Sequence, residues 1–206
     1  MGKKGIFPVV ALSGWIGIVA PVVFLGVLFT EGLLRPGYSP IKQYGSDLGL
    51  GWSLWWIYSV DLSIFSIFIF IFADGFRQFF KSLLPWSSLQ WCTIILVLTG
   101  VGGIIAASIS EAIPAGHGLG GILFFNTPPI AQLIMGRELR RVPAWRRYGT
   151  YSFINGVLFL ILVFPINFLP GILASDFGVT GLLQRIELVG IFGWFVITGR
   201  RFLVSA

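Results

Sequence analysis

The chain has 206 residues, of which 56% are hydrophobic and 11% are charged, whereas soluble globular domains carry about 25% charged residues. This composition excludes an ordinary soluble domain and predicts an integral membrane protein. A formal charge of +6 would suggest nucleic-acid binding in a soluble protein. Here the basic residues lie between apolar windows, where they suit anionic lipid headgroups, and we expect no nucleic-acid partner.

Cysteine and histidine each occur once, as Cys92 and His117. A single cysteine cannot form an intrachain disulfide or a cysteine-based metal site, and a single histidine cannot build a multi-histidine zinc or haem centre within one chain. The sequence also contains no phosphate-binding loop, dinucleotide fingerprint or nucleophile-elbow motif. We therefore expect neither a metal site nor a cofactor.

Six windows are apolar enough to cross a hydrocarbon core of about 30 Å, which takes about 20 residues as a helix. They predict an all-α, polytopic bundle of six transmembrane helices that forms one domain over residues 1–206. The linkers are short except for the first, residues 31–51. The predicted spans are residues 9–30, 52–73, 89–110, 118–135, 148–169 and 182–198.

Basic residues divide unequally between the two sets of linkers. If the N-terminus is cytoplasmic, the inner segments contain eleven of the lysines and arginines, and the outer segments contain three. The positive-inside rule then predicts that both termini face the cytoplasm, in a multi-pass protein of the plasma membrane. The three outer basic residues are Arg35, Lys42 and Arg185.

The first outer linker contains a polar stretch, YSPIKQYGSDLG (38–49), between two strongly apolar segments. Its side chains include Tyr38, Ser39, Ser46 and Asp47. Such a stretch is either an ordinary solvated loop or one wall of a binding site.

The second predicted span contains an acidic residue at depth. Asp61 is nine residues into the window, roughly 13 Å below the outer boundary at 1.5 Å per residue. Asn126 lies at a matching depth in the fourth span, just before Pro128 and Pro129, which are expected to kink or locally unwind that helix. Asp61 is either a neutral acid bonded to Asn126, Asn155 or a serine, or part of a proton path.

The third linker, SEAIPAGHGLGG (110–121), is a second polar segment on the predicted outer side. Glu111 ends the third span, and His117 begins the fourth beside several glycines that allow close approach of backbone or ligand. An imidazole at the membrane surface can exchange protons near neutral pH. A capping or interfacial role for His117 is the plain alternative.

The sixth span begins with GLLQRIE (181–187). The three-residue spacing puts Gln184 and Glu187 on one helical face, with Arg185 about 100° away. Arg185 and Glu187 are shallow enough to reach the surface yet deep enough to need partners. Asp47 is the candidate partner of Arg185, in an ion pair that would hold the first linker on the sixth helix.

Three segments in this order, PGYSPIKQYGSDLG, HGLGGILFF and GLLQRIE, resemble the prokaryotic six-span membrane family catalogued as domain of unknown function 998 (DUF998). Gly45 departs from the branched apolar residue that the resemblance implies before Ser46. The family supplies no activity. The matching positions are Pro36, Tyr38, Ser39, Ser46, Asp47, Leu48, Gly49, His117, Gly118 and Arg185.

A fainter similarity runs to the eukaryotic Frag1, DRAM and Sfk1 group, which shares a serine-aspartate-x-glycine in the first outer loop and a later histidine. Members of that group are associated with lipid remodelling and membrane contact, so the resemblance implies a connection with lipid.

These observations lead to one main hypothesis for the outer face. The polar residues converge there into a pocket for a lipid headgroup or another amphipathic ligand, with membrane lipid as partner. Arg185 would hold a phosphate or carboxylate, and Asp47 and His117 would act as general acid and base on an ester or phosphoester. The remaining predicted ligand-binding residues are Tyr38, Ser39, Ser46, Glu111 and Glu187.

Two alternatives come from other functional classes. The chain could be a non-catalytic accessory or structural subunit of a larger membrane complex, since it is small and contains no recognised catalytic motif. It could also be a small proton-coupled transporter that uses Asp61 and the proline pair near Asn126.

Overall fold

A computed structural model describes residues 8–169 and 177–205. It contains six long helices, and all six are long and apolar enough to cross a membrane. The prediction of an all-α, six-span membrane protein is therefore confirmed, and the described residues contain no strand. The helices are α1 Pro8–Leu34, α2 Trp55–Phe80, α3 Trp86–Ser108, α4 Pro114–Leu139, α5 Arg146–Phe168 and α6 Thr180–Ser205.

The helices form a ring in chain order. Each helix packs against its neighbours in sequence, and α6 closes the ring against α1. For α2 to α5 this order follows from the short linkers, because consecutive helices joined by a few residues lie antiparallel and adjacent. Two 3₁₀ turns, Ser46–Gly49 and Pro143–Trp145, lie in the linkers after α1 and α4.

One end of the ring carries the first linker together with residues 109–113, and we call this end the loop face. The positive-inside rule predicts that the loop face is the outer one, and this orientation stays a prediction.

Glycines allow the backbones of α3 and α4 to touch. A Cβ atom added to Gly102 would lie 2.6 Å from the backbone nitrogen of Phe124, and one added to Gly120 would lie 2.5 Å from the backbone nitrogen of Ala106. Close crossings of this kind are typical of small residues in membrane helices. They fix the rotation of α4, and with it the direction in which the start of α4 faces.

Helix α4 runs unbroken through Pro128 and Pro129, so the expected local unwinding is wrong. The hydroxyl of Thr127 donates to the carbonyl oxygen of Leu123 at 2.6 Å and lies 2.6 Å from the hydroxyl of Thr99 on α3. Pro128 and Pro129 remove the amide donors to the carbonyl oxygens of Phe124 and Phe125. Packing of α4 against α3 and α5 keeps the helix continuous across this gap, as is common in membrane helices.

Four phenylalanines from four different helices meet inside the ring. Phe65 lies 4.7 Å from Phe192, 5.1 Å from Phe24 and 6.2 Å from Phe124, measured between ring centroids. We call these four residues the phenylalanine layer. It closes the space inside the ring beneath the loop face, so any cavity above it is bounded below by aromatic rings.

Candidate functional site

Residues 38–49, which we call the strap, fold back over the ring and dock on the start of α6. The backbone amide of Leu182 donates to the carbonyl oxygen of Ile41 at 2.9 Å, and the amide of Gly45 donates to Oε1 of Gln184 at 2.7 Å. Gly181 must be a glycine here, because an added Cβ would collide with the carbonyl oxygens of the strap. The polar stretch is therefore a structured wall and not a loose loop.

Arg185 holds the strap and does not face the space inside the ring. Its Nη1 atom donates to the carbonyl oxygens of Gly181 at 2.9 Å and of Gln43 at 3.0 Å, and its Nη2 atom donates to the hydroxyl of Tyr38. The guanidinium carbon also lies 5.6 Å from the centre of the Tyr38 ring. The sequence placed Arg185 in the pocket as a phosphate ligand, and its contacts indicate a positioning residue instead.

The expected ion pair between Arg185 and Asp47 is wrong. Arg35 reaches Asp47 instead, by donating from Nη1 to the Asp47 backbone carbonyl. The reason is that the strap runs across α6 with its carbonyls toward Arg185, which leaves the Asp47 carboxyl on the other side, near Glu111. The ion pairs among the described residues include His117 with Glu111 and Arg141 with Glu138.

We expect Arg185→Met to loosen the strap, because it removes two hydrogen bonds donated to the strap, at the Gln43 carbonyl and the Tyr38 hydroxyl, each worth about 1 kcal/mol or more. Amide hydrogen exchange over residues 39–45 should accelerate at least tenfold, and the apparent Tm should fall. The matched control is Arg147→Met, since Arg147 is exposed on α5. Unchanged exchange in the strap would contradict the role given to Arg185.

Ser46, Glu111 and His117 meet beside the strap. The hydroxyl of Ser46 donates to Oε1 of Glu111, and the same oxygen lies 3.6 Å from Nε2 of His117. Burial raises the pKa of Glu111, and the nearby Asp47 carboxyl raises it further, while the Ser46 hydroxyl and His117 lower it. Three predicted site residues are thus brought together: Ser46 from the first linker, Glu111 from the third linker and His117 from the first turn of α4.

The order of contacts decides which chemistry is available. In a serine nucleophile site the histidine lies between the serine and the acid, whereas here Glu111 lies between Ser46 and His117. Nδ1 of His117 lies 2.8 Å from the carbonyl oxygen of Ile109, and it must donate there because a carbonyl can only accept. Nε2 therefore faces Glu111, so the pair can hold and exchange a proton, and Ser46 is not arranged as a nucleophile.

A cavity of about 470 Å³ opens beside this cluster, within the range of about 300–1,000 Å³ typical of ligand sites. Its polar wall lies nearer the loop face than its apolar wall, because on each of the three helices that begin at that face the polar lining residue precedes the apolar one. The pairs are Tyr58 and Leu62 on α2, His117 and Phe124 on α4, and Gln184 and Leu188 on α6. The polar lining residues are Tyr44, Ser46, Tyr58, Glu111, His117 and Gln184. The apolar lining comes mainly from Phe24, Leu28, Leu62, Phe124, Phe125 and Leu188, and it includes two rings of the phenylalanine layer.

A second cavity of about 410 Å³ is enclosed by the 3₁₀ turn of the strap, the first turn of α2 and the end of α3. It shares part of its wall with the first cavity, so the Glu111 and His117 pair is reached from both. The shared residues are Ser46, Tyr58, Ala106, Glu111 and His117.

The model of the family described as "Protein of unknown function (DUF998)" matches residues 18–201. The chain belongs to the DUF998 family. The match covers most of the chain, including the strap, the Glu111 and His117 pair and Arg185, and it confirms the resemblance carried by the three sequence segments. No curated protein and no solved structure matches the chain.

The other predicted site residues of this DUF998 protein lie outside the two cavities. Ser39 stabilises the strap, where its backbone amide donates to Oε1 of Gln43 at 2.8 Å. Glu187 is fully buried on α6, and neither carboxyl oxygen has a hydrogen-bond partner among the described residues. Tyr38 bonds to the backbone of the strap at the Tyr44 carbonyl, 2.8 Å away.

The two intramembrane polar residues do not meet. The side-chain amide of Asn126 donates to the carbonyl oxygen of Ile122 in its own helix at 2.8 Å, and that of Asn155 donates to Oε1 of Gln132 at 2.7 Å. Asp61 instead lies close enough to Glu31 of α1 for the two carboxyl groups to interact. The expected bond from Asp61 to an asparagine is wrong, because Asn126 and Asn155 bond to Ile122 and Gln132 while Asp61 lies beside Glu31.

Three lining residues were not predicted for the DUF998 site: Tyr44, Tyr58 and Gln184. Tyr44 and Gln184 stand in the same polar segments as predicted residues, and that proximity was the signal available. Tyr58 lies in an apolar window that gives no sign of a site, and only the approach of α2 to the strap makes it a lining residue.

Proposed function

We propose that this DUF998 membrane protein binds an amphipathic molecule, a membrane lipid or a lipid-like compound, in the cavity at its loop face. The observation that carries the proposal is the division of one 470 Å³ cavity into a polar wall and an apolar wall. A molecule with a polar head and a hydrocarbon tail matches both walls at once, whereas a fully polar or fully apolar ligand leaves one wall unmatched.

The polar head would lie against Ser46, Glu111 and His117. The tail would lie along Leu62 and Phe124, with the phenylalanine layer below it. If the ligand is also modified, His117 is the group placed to move a proton, and Asp47 would act through Glu111 and not on the ligand itself.

The phenylalanine layer favours binding over transport through the ring. Phe65 contacts the rings of the other three members with centroid separations of 4.7–6.2 Å. A ligand that crossed the bundle would therefore have to separate several of these ring pairs. A site that is reached from the loop face and closed below by the phenylalanine layer is the arrangement that these contacts support.

Filling the cavity tests the proposal. Gly121 lines the cavity, and an added Cβ there would meet no atom within 4 Å. Gly121→Leu should therefore place a side chain in the cavity without moving α4. Native mass spectrometry of the protein extracted gently from its own membrane should find a lipid of defined mass on the wild type and at least tenfold less of it on the variant.

The matched control is Gly26→Leu, since Gly26 is also open to an added side chain but lies on the exposed face of α1. This control should retain the lipid. Equal retention by wild type and Gly121→Leu would contradict the proposal, as would a wild type that carries a stoichiometric protein partner and no lipid. The second result would point to the accessory-subunit alternative.

A further inference from the structure

The described residues that line the two cavities include no lysine or arginine. Among the described residues that line them, the charged or titratable groups near the head position are Glu111 and His117, together with the phenols of Tyr44 and Tyr58. The remaining residues of the α5–α6 linker, PGILASD (170–176), also include no lysine or arginine. A phosphate or carboxylate head would find no permanent positive charge there.

The two arginines nearest the strap are already used by its backbone. Arg35 donates to the carbonyl oxygen of Asp47, and Arg185 donates to those of Gln43 and Gly181. Arg185 lines a separate small groove between α1 and α6 and not the main cavities. The two arginines of this face therefore stabilise the strap, and the third basic residue, Lys42, is exposed and lines neither cavity.

Acidic side chains lie near the head position instead. The Asp47 carboxyl is close enough to Glu111 to raise its pKa, after the larger effect of burial. Behind Tyr58, Glu31 is only 2% exposed, and neither of its carboxyl oxygens has a hydrogen-bond partner in the part of the chain that the structure describes. Glu31 lies on the same face of α1 as Leu28 and Phe24, one turn nearer the loop face.

We infer that the ligand of this cavity is an amphiphile with an ammonium head, and not one with an anionic head. The inference rests on the proposed function and adds the charge of the ligand to it. An ammonium group would donate to Glu111, and its charge would relieve the repulsion between Glu111 and Asp47. The faces of Tyr44 and Tyr58 on the same wall suit a cation as well.

Three probes with the same tail separate head charge from tail binding: hexadecylammonium, hexadecyl phosphate and hexadecanol. Each is added to the full-length protein in a neutral sugar detergent, and bound probe is counted by native mass spectrometry. The amount bound by Gly121→Leu is subtracted as non-specific association. Hexadecylammonium should bind the wild-type cavity at least about tenfold more tightly than the phosphate, because hydrogen bonds to charged groups are strong.

Glu111→Gln keeps an acceptor for the Ser46 hydroxyl and removes the charge. It should lower hexadecylammonium binding about tenfold and hexadecanol binding by a much smaller factor, whereas Glu138→Gln, on the opposite end of α4, should change neither. If no probe distinguishes the wild type from Gly121→Leu, the proposed cavity function fails. If the cavity binds the phosphate or the alcohol as tightly as the ammonium, the ammonium inference is overturned while the cavity function stands.

Discussion

Gly120→Val is expected to disrupt the bundle, with a larger effect than any other single substitution considered for this protein. A Cβ at this position would lie 2.5 Å from the backbone nitrogen of Ala106 and 2.8 Å from the carbonyl oxygen of Gly102. Neither atom belongs to a side chain that can rotate away, so α3 and α4 must separate.

Inserted core groups typically destabilise by about 1–3 kcal/mol when side chains can adjust, and we expect Gly120→Val to exceed this range. At about 2–4 °C per kcal/mol for a chain of this size, the apparent Tm should fall by more than about 6 °C. The measurement is the temperature at which half of the detergent-solubilised protein remains monodisperse in size-exclusion chromatography.

Gly118→Val is the matched control for Gly120→Val. Gly118 lies two residues earlier in the same helix, and an added Cβ there would meet no atom within 4 Å. The control should change the apparent Tm by no more than about 2 °C, as is usual away from packed contacts. Similar losses in both variants would mean that the effect reflects valine in α4 and not the crossing of α3 and α4.

Glu187→Met is expected to stabilise the protein. Glu187 is fully buried, and both carboxyl oxygens are without a hydrogen-bond partner among residues 8–169 and 177–205. A buried polar group without a partner destabilises by about 1–3 kcal/mol, and methionine fills a similar volume without polar oxygens. The apparent Tm should therefore rise by several degrees, at about 2–4 °C per kcal/mol.

Two further variants test the cause of that gain. Glu187→Gln keeps a buried polar group and should stabilise less than Glu187→Met. Glu138→Met removes a carboxyl that is already bonded to Arg141 at 2.9 Å, and it should bring no gain. A lower Tm for Glu187→Met would show that the carboxyl makes a stabilising interaction in the membrane.

An increase in stability would also suggest why the carboxyl is there. Stability and activity often oppose each other where a residue serves function. Glu187 lies one helical turn below Gln184, which lines the cavity. If the Glu187→Met protein is more stable but has lost its bound lipid, the Glu187 carboxyl contributes to ligand binding. If lipid retention is unchanged, the carboxyl has no role in binding at the cavity.

The sequence predicted the fold well because the hydropathy of a span is summed over about 20 residues, so single polar residues do not hide it. Each of the six apolar windows coincides with one helix, and the differences are at the ends: α2 begins at Trp55 where the window began at 52, and it continues to Phe80 beyond the predicted 73. Terminal turns contain polar residues such as Arg77 that lower the hydropathy without ending the helix. The helix ends were therefore the uncertain part.

The sequence predicted several of the residues at the site but not which residues contact one another. Ser46, Glu111 and His117 were expected at one face and do meet there. Arg185 was expected to join them and instead bonds to Gln43 and Gly181. Successive side chains on a helix point in directions about 100° apart. Even when a helix is predicted correctly, its rotation about its own axis is unknown, so the sequence does not show which partner each polar side chain contacts.

By itself, the sequence determined that this is a six-span membrane protein of the DUF998 family with clusters of polar residues in the first and third linkers. Those features depend on composition and on local motifs, which need no knowledge of packing. Only the tertiary structure decided that the strap turns Arg185 away from the cavity and leaves Glu111 and His117 inside it. That choice depends on the path of the strap over α6 and on the glycine contacts that set helix rotation, and both are interactions between residues far apart in the chain.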